Sequence, residues 1–156
     1  HWTQNRYALF RRLWRALYIL GKIMAFPVDE KFIALAEKEL GVQFPPSFRS
    51  KMIQSNGGEV AVGEDCFALF PFYDTSDKKR IKRTCNSIVH ETKNERTHYQ
   101  MPSNLIAIGN NGGGDLLVFQ VNELSGGEAN VYWLDHENGD INIAAKSFAE
   151  LLNKNV

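Results

Sequence analysis

Cysteine and histidine are sparse in this chain, and neither is arranged for metal binding. The two cysteines, Cys66 and Cys85, are too few for a disulfide framework, and neither belongs to a CxxC pair. A single bridge between them stays open. The four histidines are scattered, and no two have the four-residue spacing that places a pair of imidazoles on one metal; they are His1, His90, His98 and His136. We therefore predict no metal site and no cofactor.

Long apolar runs are also missing. In residues 1–26 the longest uncharged run covers only residues 16–21, whereas a membrane-spanning helix needs about 20 apolar residues. The arginines of this segment run through its apolar stretch instead of preceding it, which is a poor match to a secretory signal. The sequence therefore predicts neither a membrane span nor a signal peptide.

The chain has no net charge, but the zero total hides a division. Residues 1–26 carry a charge of +5, residues 78–96 carry +5 and residues 97–156 carry −5. The acidic C-terminal part favours a basic partner. Nucleic-acid or membrane binding through residues 6–22 or 78–96 is a lower-ranked alternative, because a charge run is more often a solvated face. We expect neither direct nucleic-acid binding nor membrane binding.

The first 26 residues predict a basic amphipathic helix. Apolar side chains recur there at spacings of three and four, at Leu9, Leu13, Leu17, Leu20 and Met24. Such a helix packs on its own domain, lies on an anionic membrane or binds an acidic partner, and the first of these is the default. We divide the chain into residues 1–26, an N-terminal helix or appendage, and residues 27–156, a single domain.

The body of the chain predicts an α+β domain. Two helices joined by a proline turn come first, over residues 29–40 and from Pro45 to about residue 56. A strand at 66–70 and one solvated helix over 77–96 follow. Strands at 105–108, 116–121, 131–134 and 141–143 and a closing helix at 147–152 complete the pattern. This order predicts one antiparallel or mixed sheet of about five or six strands flanked by helices.

Two turn signals lie between these strands. Asn138-Gly139 favours a hairpin with both residues at positive φ. The triple glycine of IGNNGGGDLLVF, residues 108–119, suits either a tight connection between strands or a phosphate cradle. A cradle needs a helix after the loop, and here an acid and a strand follow. The sequence therefore favours the connection.

Three segments in order resemble the SUKH superfamily. They are ELGVQFPPSF at 39–48 with QSNGG at 54–58, the glycine-rich segment at 108–116, and VYWLDHENGD at 131–140 with SFAELL at 147–152. The resemblance covers about residues 28–152. It departs from the family pattern at Phe44, where leucine is usual, and at Phe48, where tyrosine is common. The N-terminal segment has no counterpart in the pattern.

The resemblance implies a central sheet covered by helices and a function in binding. The superfamily includes bacterial immunity proteins, which neutralise toxins in the cytoplasm, and fungal cell-wall synthesis regulators. We expect a cytoplasmic, non-enzymatic bacterial immunity protein whose partner is a cognate toxin of a polymorphic or contact-dependent system, most simply a nuclease. The acids expected to contact it are Asp115, Glu123, Glu128, Asp135, Glu137 and Asp140. A regulatory scaffold or peptide-binding module is the alternative.

Overall fold

The computed structural model of the protein describes residues 25–155 and Arg12. The predicted helix over residues 1–26 therefore lies almost wholly outside the described residues. No helix among the described residues is long and apolar enough to cross a membrane. The elements in chain order are α1 (Glu30–Leu40), α2 (Pro46–Gln54), β1 (Glu59–Val62), β2 (Asp65–Leu69), α3 (Lys78–Arg83), α4 (Ile88–His98), β3 (Leu105–Asn110), β4 (Leu116–Gln120), a 3₁₀ turn (Val121–Glu123), β5 (Val131–Leu134), β6 (Ile141–Ala145) and α5 (Phe148–Asn153).

The first two helices form the predicted hairpin. Asp29 caps α1 by accepting a 2.9 Å hydrogen bond from the Lys31 N–H, and Gly41 ends the helix at φ 71°. Pro46 occupies the first turn of α2, where the missing N–H costs no hydrogen bond. The sequence prediction for both helices is confirmed.

All the strands join one antiparallel sheet in the order β1-β2-β3-β4-β5-β6. Consecutive strands are neighbours throughout, so the sheet is a meander whose edges are β1 and β6. The predicted α+β class is confirmed. One strand, β1, was not predicted, because only Val60 of its residues is buried and the segment lacks a clear alternation.

The single helix predicted over residues 77–96 is wrong, because the chain forms two helices there. Asp77 caps α3 by accepting from the Arg80 N–H, and Ser87 caps α4 by accepting from the His90 N–H. Each cap starts a separate helix. Within this segment Ile81 and Cys85 are exposed, whereas Ile88 is fully buried.

Phenylalanine fills the centre of the core. The rings of Phe44, Phe48, Phe72, Phe119 and Phe148 pack with centroids 4.9 to 6.2 Å apart and are all fully buried or nearly so. Edge-to-face pairs of this kind add to the free energy gained by burying each ring. Phe44 and Phe48, the two departures from the family pattern, therefore hold the hairpin of α1 and α2 on the sheet.

Helix α4 takes the place of a strand along part of β3. The chain leaves β2 after Leu69, so the first half of β3 has no strand on that side. The buried Thr92 hydroxyl bonds both the N–H and the carbonyl of Ala107, at 3.0 and 3.4 Å. One turn later, Arg96 donates to the carbonyls of Ser103 and Leu105, both at 2.8 Å. These bonds satisfy backbone N–H and carbonyl groups along the open edge of β3, and they fix the position of α4 on the sheet.

Candidate functional site

An open groove of about 700 Å³ lies between α4 and the turn that joins β5 to β6. Its floor is apolar and includes the buried side chains of Met101, Leu116 and Leu134. Its rim is polar and acidic, and it carries Tyr99, a large side chain that is 71% exposed. An apolar centre inside a polar rim is the usual anatomy of a protein-binding surface. This groove is the candidate functional site.

Helix α4 supplies two carboxylates to one rim of the groove. Glu91 and Glu95 are one turn apart, so they lie on the same face of the helix. Burial, and then the negative charge of Glu91, raise the pKa of Glu95 above its usual value. Two like charges held at this spacing favour a cation in the groove.

The opposite rim is built around Asp115. Its Oδ2 accepts a hydrogen bond from Trp133 Nε1 at 3.0 Å. Its Oδ1 lies 2.6 Å from His136 Nδ1 and accepts from the His136 N–H at 3.1 Å. Both oxygens are therefore engaged inside the protein, and they tie the β3–β4 turn to the β5–β6 turn. Asp115 positions the rim more than it offers a free charge.

The Asp115–His136 pair shifts the pKa of both groups. Burial alone would raise the pKa of Asp115, but hydrogen bonds from His136 and Trp133 outweigh it and lower the value. The hydrogen bond to Asp115 raises the pKa of His136, against the smaller opposing effect of burial. His136 therefore keeps its proton to a higher pH than a free imidazole does.

The triple glycine is the predicted tight connection between two strands. Gly112 and Gly114 have φ of 77° and 103°, values that side chains disfavour. A Cβ added to Gly114 would lie 2.9 Å from the His136 ring. Asn111 holds the loop by accepting from the N–H groups of Gly113 and Asp115. Gly114 thus makes the room that the His136 ring occupies on the rim.

The Asn-Gly hairpin is confirmed, but its expected conformation is wrong. Gly139 has φ of 77°, whereas Asn138 keeps a negative φ. The Gly139 N–H bonds the Asp135 carbonyl, and the Asp135 N–H bonds the Asp140 carbonyl. This longer loop needs only one left-handed residue and places Asp135 at the groove.

A sequence model described as the SMI1 / KNR4 family (SUKH-1) matches residues 27–154. The chain belongs to this family. The match confirms the superfamily to which the three motifs pointed, and that superfamily includes immunity proteins. No curated protein matches the chain significantly.

The six acids predicted as contacts do not form one surface of this SUKH-1 domain. Antiparallel pairing of Leu116 with Leu134 brings the start of β4 to the end of β5. Four of the acids lie at that end of the sheet, on the two adjoining turns: Asp115, Asp135, Glu137 and Asp140. Of these four, Asp135 lines the groove, and Asp115 supports its rim through the contact with His136.

The other two acids lie toward the opposite end of the sheet, beyond the end of β4 and before β5, and have local roles. Glu123 accepts a 2.6 Å bond from the Tyr132 hydroxyl. Glu128 accepts from the N–H of Ser47, at 3.0 Å, and from its hydroxyl, which satisfies the start of α2. Glu91 and Glu95, on the groove itself, were missed because they belong to a segment counted as basic. Their four-residue spacing on a helix was the available signal.

Three groups at the groove meet the distance requirement for a metal site. Asp115, Asp135 and His136 each offer one ligand atom, and these atoms lie within 4.8 Å of one another. The hydrogen bonds that His136 and Trp133 donate to Asp115 already account for the short distance between Asp115 and His136.

Both cysteines are free thiols, so the bridge left open by the sequence is not formed.

Proposed function

We propose that this SUKH-1 protein is a non-enzymatic immunity protein that binds and neutralises a cognate toxin. The observation that carries the proposal is the acid-rimmed groove. It joins carboxylates from α4 and from the β5–β6 turn around an apolar floor. Family membership supports a role in binding, because the superfamily includes immunity proteins. A bacterial origin and a cytoplasmic location are part of the proposal.

A nuclease is the kind of toxin that the charge of the groove favours. A nuclease active site attracts phosphates and therefore presents a positive surface. Glu91, Glu95 and Asp135 present the opposite charge, which speeds association and selects the partner. Tyr99 beside them supplies the exposed aromatic that binding hot spots favour. Asp115 would act by holding the rim in place.

The test is co-expression with the toxin encoded by a neighbouring gene. We expect the two proteins to co-purify and the toxin's activity to be blocked at equimolar amounts. Replacing Tyr99 by alanine should weaken the complex about tenfold or more, as for a hot-spot residue. The control is Tyr73→Ala, because Tyr73 is also exposed, at 46%, and lies outside the groove. If Tyr99→Ala binds the toxin as tightly as the wild type does, the groove is not the binding surface.

A regulatory scaffold or peptide-binding module is the second candidate. The open apolar floor at Met101, Leu116 and Leu134 favours it, since a short extended segment would fit there. The same co-purification separates the two candidates. Capture of an enzyme whose activity is then blocked supports immunity, whereas capture of a partner that stays active supports a scaffold.

A further inference from the structure

The outer edge of β6 carries no strand and no side-chain cap among the described residues. At the other end of the sheet, the Asn155 side chain covers β1 by accepting from the Ala61 N–H and donating to its carbonyl, at 2.6 and 3.1 Å. Thr92 and Arg96 cover the edge of β3. At these positions, side chains bond the backbone as a neighbouring strand would.

The unpaired backbone groups of β6 can be assigned from its pairing with β5. The Asp135 N–H bonds the Asp140 carbonyl, so hydrogen-bonded pairs then alternate along the hairpin. Ile141 and Ile143, opposite Leu134 and Tyr132, fall on the non-bonded positions and direct their N–H and carbonyl groups outward. No bond within residues 25–155 reaches these groups.

The side chains of β6 do not protect this edge. Ile141 is 37% exposed and Ile143 is 58% exposed, and no residue of the strand is charged. Edge strands of monomers usually carry a lysine, a proline or another device against pairing. The one such device here is the irregularity between Ile143 and Ala145, which lies past the two isoleucines.

We propose that β6 pairs in antiparallel fashion with β6 of a second copy of this chain. Setting Ile141 opposite Ile143 of the other copy joins all the outward groups in about four backbone hydrogen bonds. The isoleucines of both copies then lie side by side on one face, and Asn142 meets its own counterpart on the two-fold axis. The result is a closed, self-complementary contact.

Charge favours a second copy over an unrelated strand. Asp140 precedes β6 and Lys146 follows it, and both are exposed. Antiparallel pairing brings the acid of one copy diagonally across from the lysine of the other, at both ends of the contact. The same strand paired in parallel would set like charges together. No residue of β6 lines the groove, so the pairing does not use the groove's own surface.

The test is the mass of the full chain in solution across a range of concentrations. We expect a reversible monomer–dimer equilibrium that Ile143→Lys shifts toward monomer by tenfold or more in the dissociation constant. Leu35→Lys is the control, because Leu35 is an equally exposed apolar residue on α1, at 61%. A monomer at every concentration, or a dimer unaffected by Ile143→Lys, overturns the proposal.

Cross-linking tests the register and does not depend on Ile143→Lys folding. In a Cys85→Ser background, which removes the exposed native thiol, we expect Asn142→Cys to form a disulfide-linked dimer on mild oxidation. Its two Cα atoms would lie within disulfide range on the axis. Glu64→Cys, in the β1–β2 turn, is the control. Equal cross-linking of the two variants overturns the proposed register and the dimer with it.

Discussion

Replacing Gly114 by alanine should destabilise the protein through two separate effects. The backbone at φ 103° is one that L residues rarely adopt, and holding it costs about 1–3 kcal/mol. The new Cβ would also lie 2.9 Å from the His136 ring and force that ring from its rotamer, which costs about 1 kcal/mol. We expect a total loss of about 2–4 kcal/mol in the free energy of unfolding.

Urea denaturation of the wild type and four variants separates these effects. Gly63→Ala is the control for the backbone alone, because Gly63 has φ 61° and open space around it; it should cost about 1–2 kcal/mol. In a His136→Ala background, Gly114→Ala should lose only the backbone part, so the two changes should not add. If Gly114→Ala costs no more than Gly63→Ala, or the same with and without the His136 ring, the account of this loop is wrong.

Three further predictions concern bonds that position the groove. Thr92→Val should cost about 2–3 kcal/mol in urea denaturation, because it leaves the buried N–H and carbonyl of Ala107 unpaired; a cost near zero would show that α4 is held by packing alone. Asp115→Asn should lower the pKa of His136, measured by NMR titration, because the hydrogen-bonded charge that raises it is lost; an unchanged pKa would contradict the pairing. The stability that this pair contributes should be greatest between pH 3.8 and pH 6.5, the ordinary pKa values of aspartate and histidine. It is lost as the pH falls through the lowered pKa of Asp115, and it is lost as the pH rises through the raised pKa of His136.

The sequence predicted most of the fold because its strongest signals are local. Asp29, Gly41 and Pro46 mark helix ends by backbone chemistry that acts within a few residues. The break between α3 and α4 was missed because the segment keeps a helical composition throughout. The break depends on two hydrogen bonds, in which Thr84 accepts from the Asp74 N–H and Ser87 caps α4 by accepting from the His90 N–H. Strand β1 was missed because most of its side chains are only half-buried.

The site was harder to predict because it depends on which strand ends meet. Charge counting grouped Asp135, which lines the groove, with Glu123 and Glu128, which antiparallel pairing places toward the other end of the sheet. It also assigned Glu91 and Glu95 to a basic segment, since a sum over residues 78–96 hides which helix face each side chain occupies. Asp115 also counts as an acid in the sequence, but its carboxylate oxygens are hydrogen-bonded to Trp133 and His136 inside the protein.

The most direct test of the proposed function is the affinity of the complex with the neighbouring toxin after charge reversal on the groove. Glu91→Lys with Glu95→Lys, both on the rim that α4 supplies to the groove, should weaken binding about a hundredfold or more at low salt, less at high salt, and should abolish protection. Glu39→Lys with Glu64→Lys changes the net charge equally at exposed sites outside the groove and should leave affinity almost unchanged. Equal effects from both pairs, or none from the first, would contradict binding through the groove.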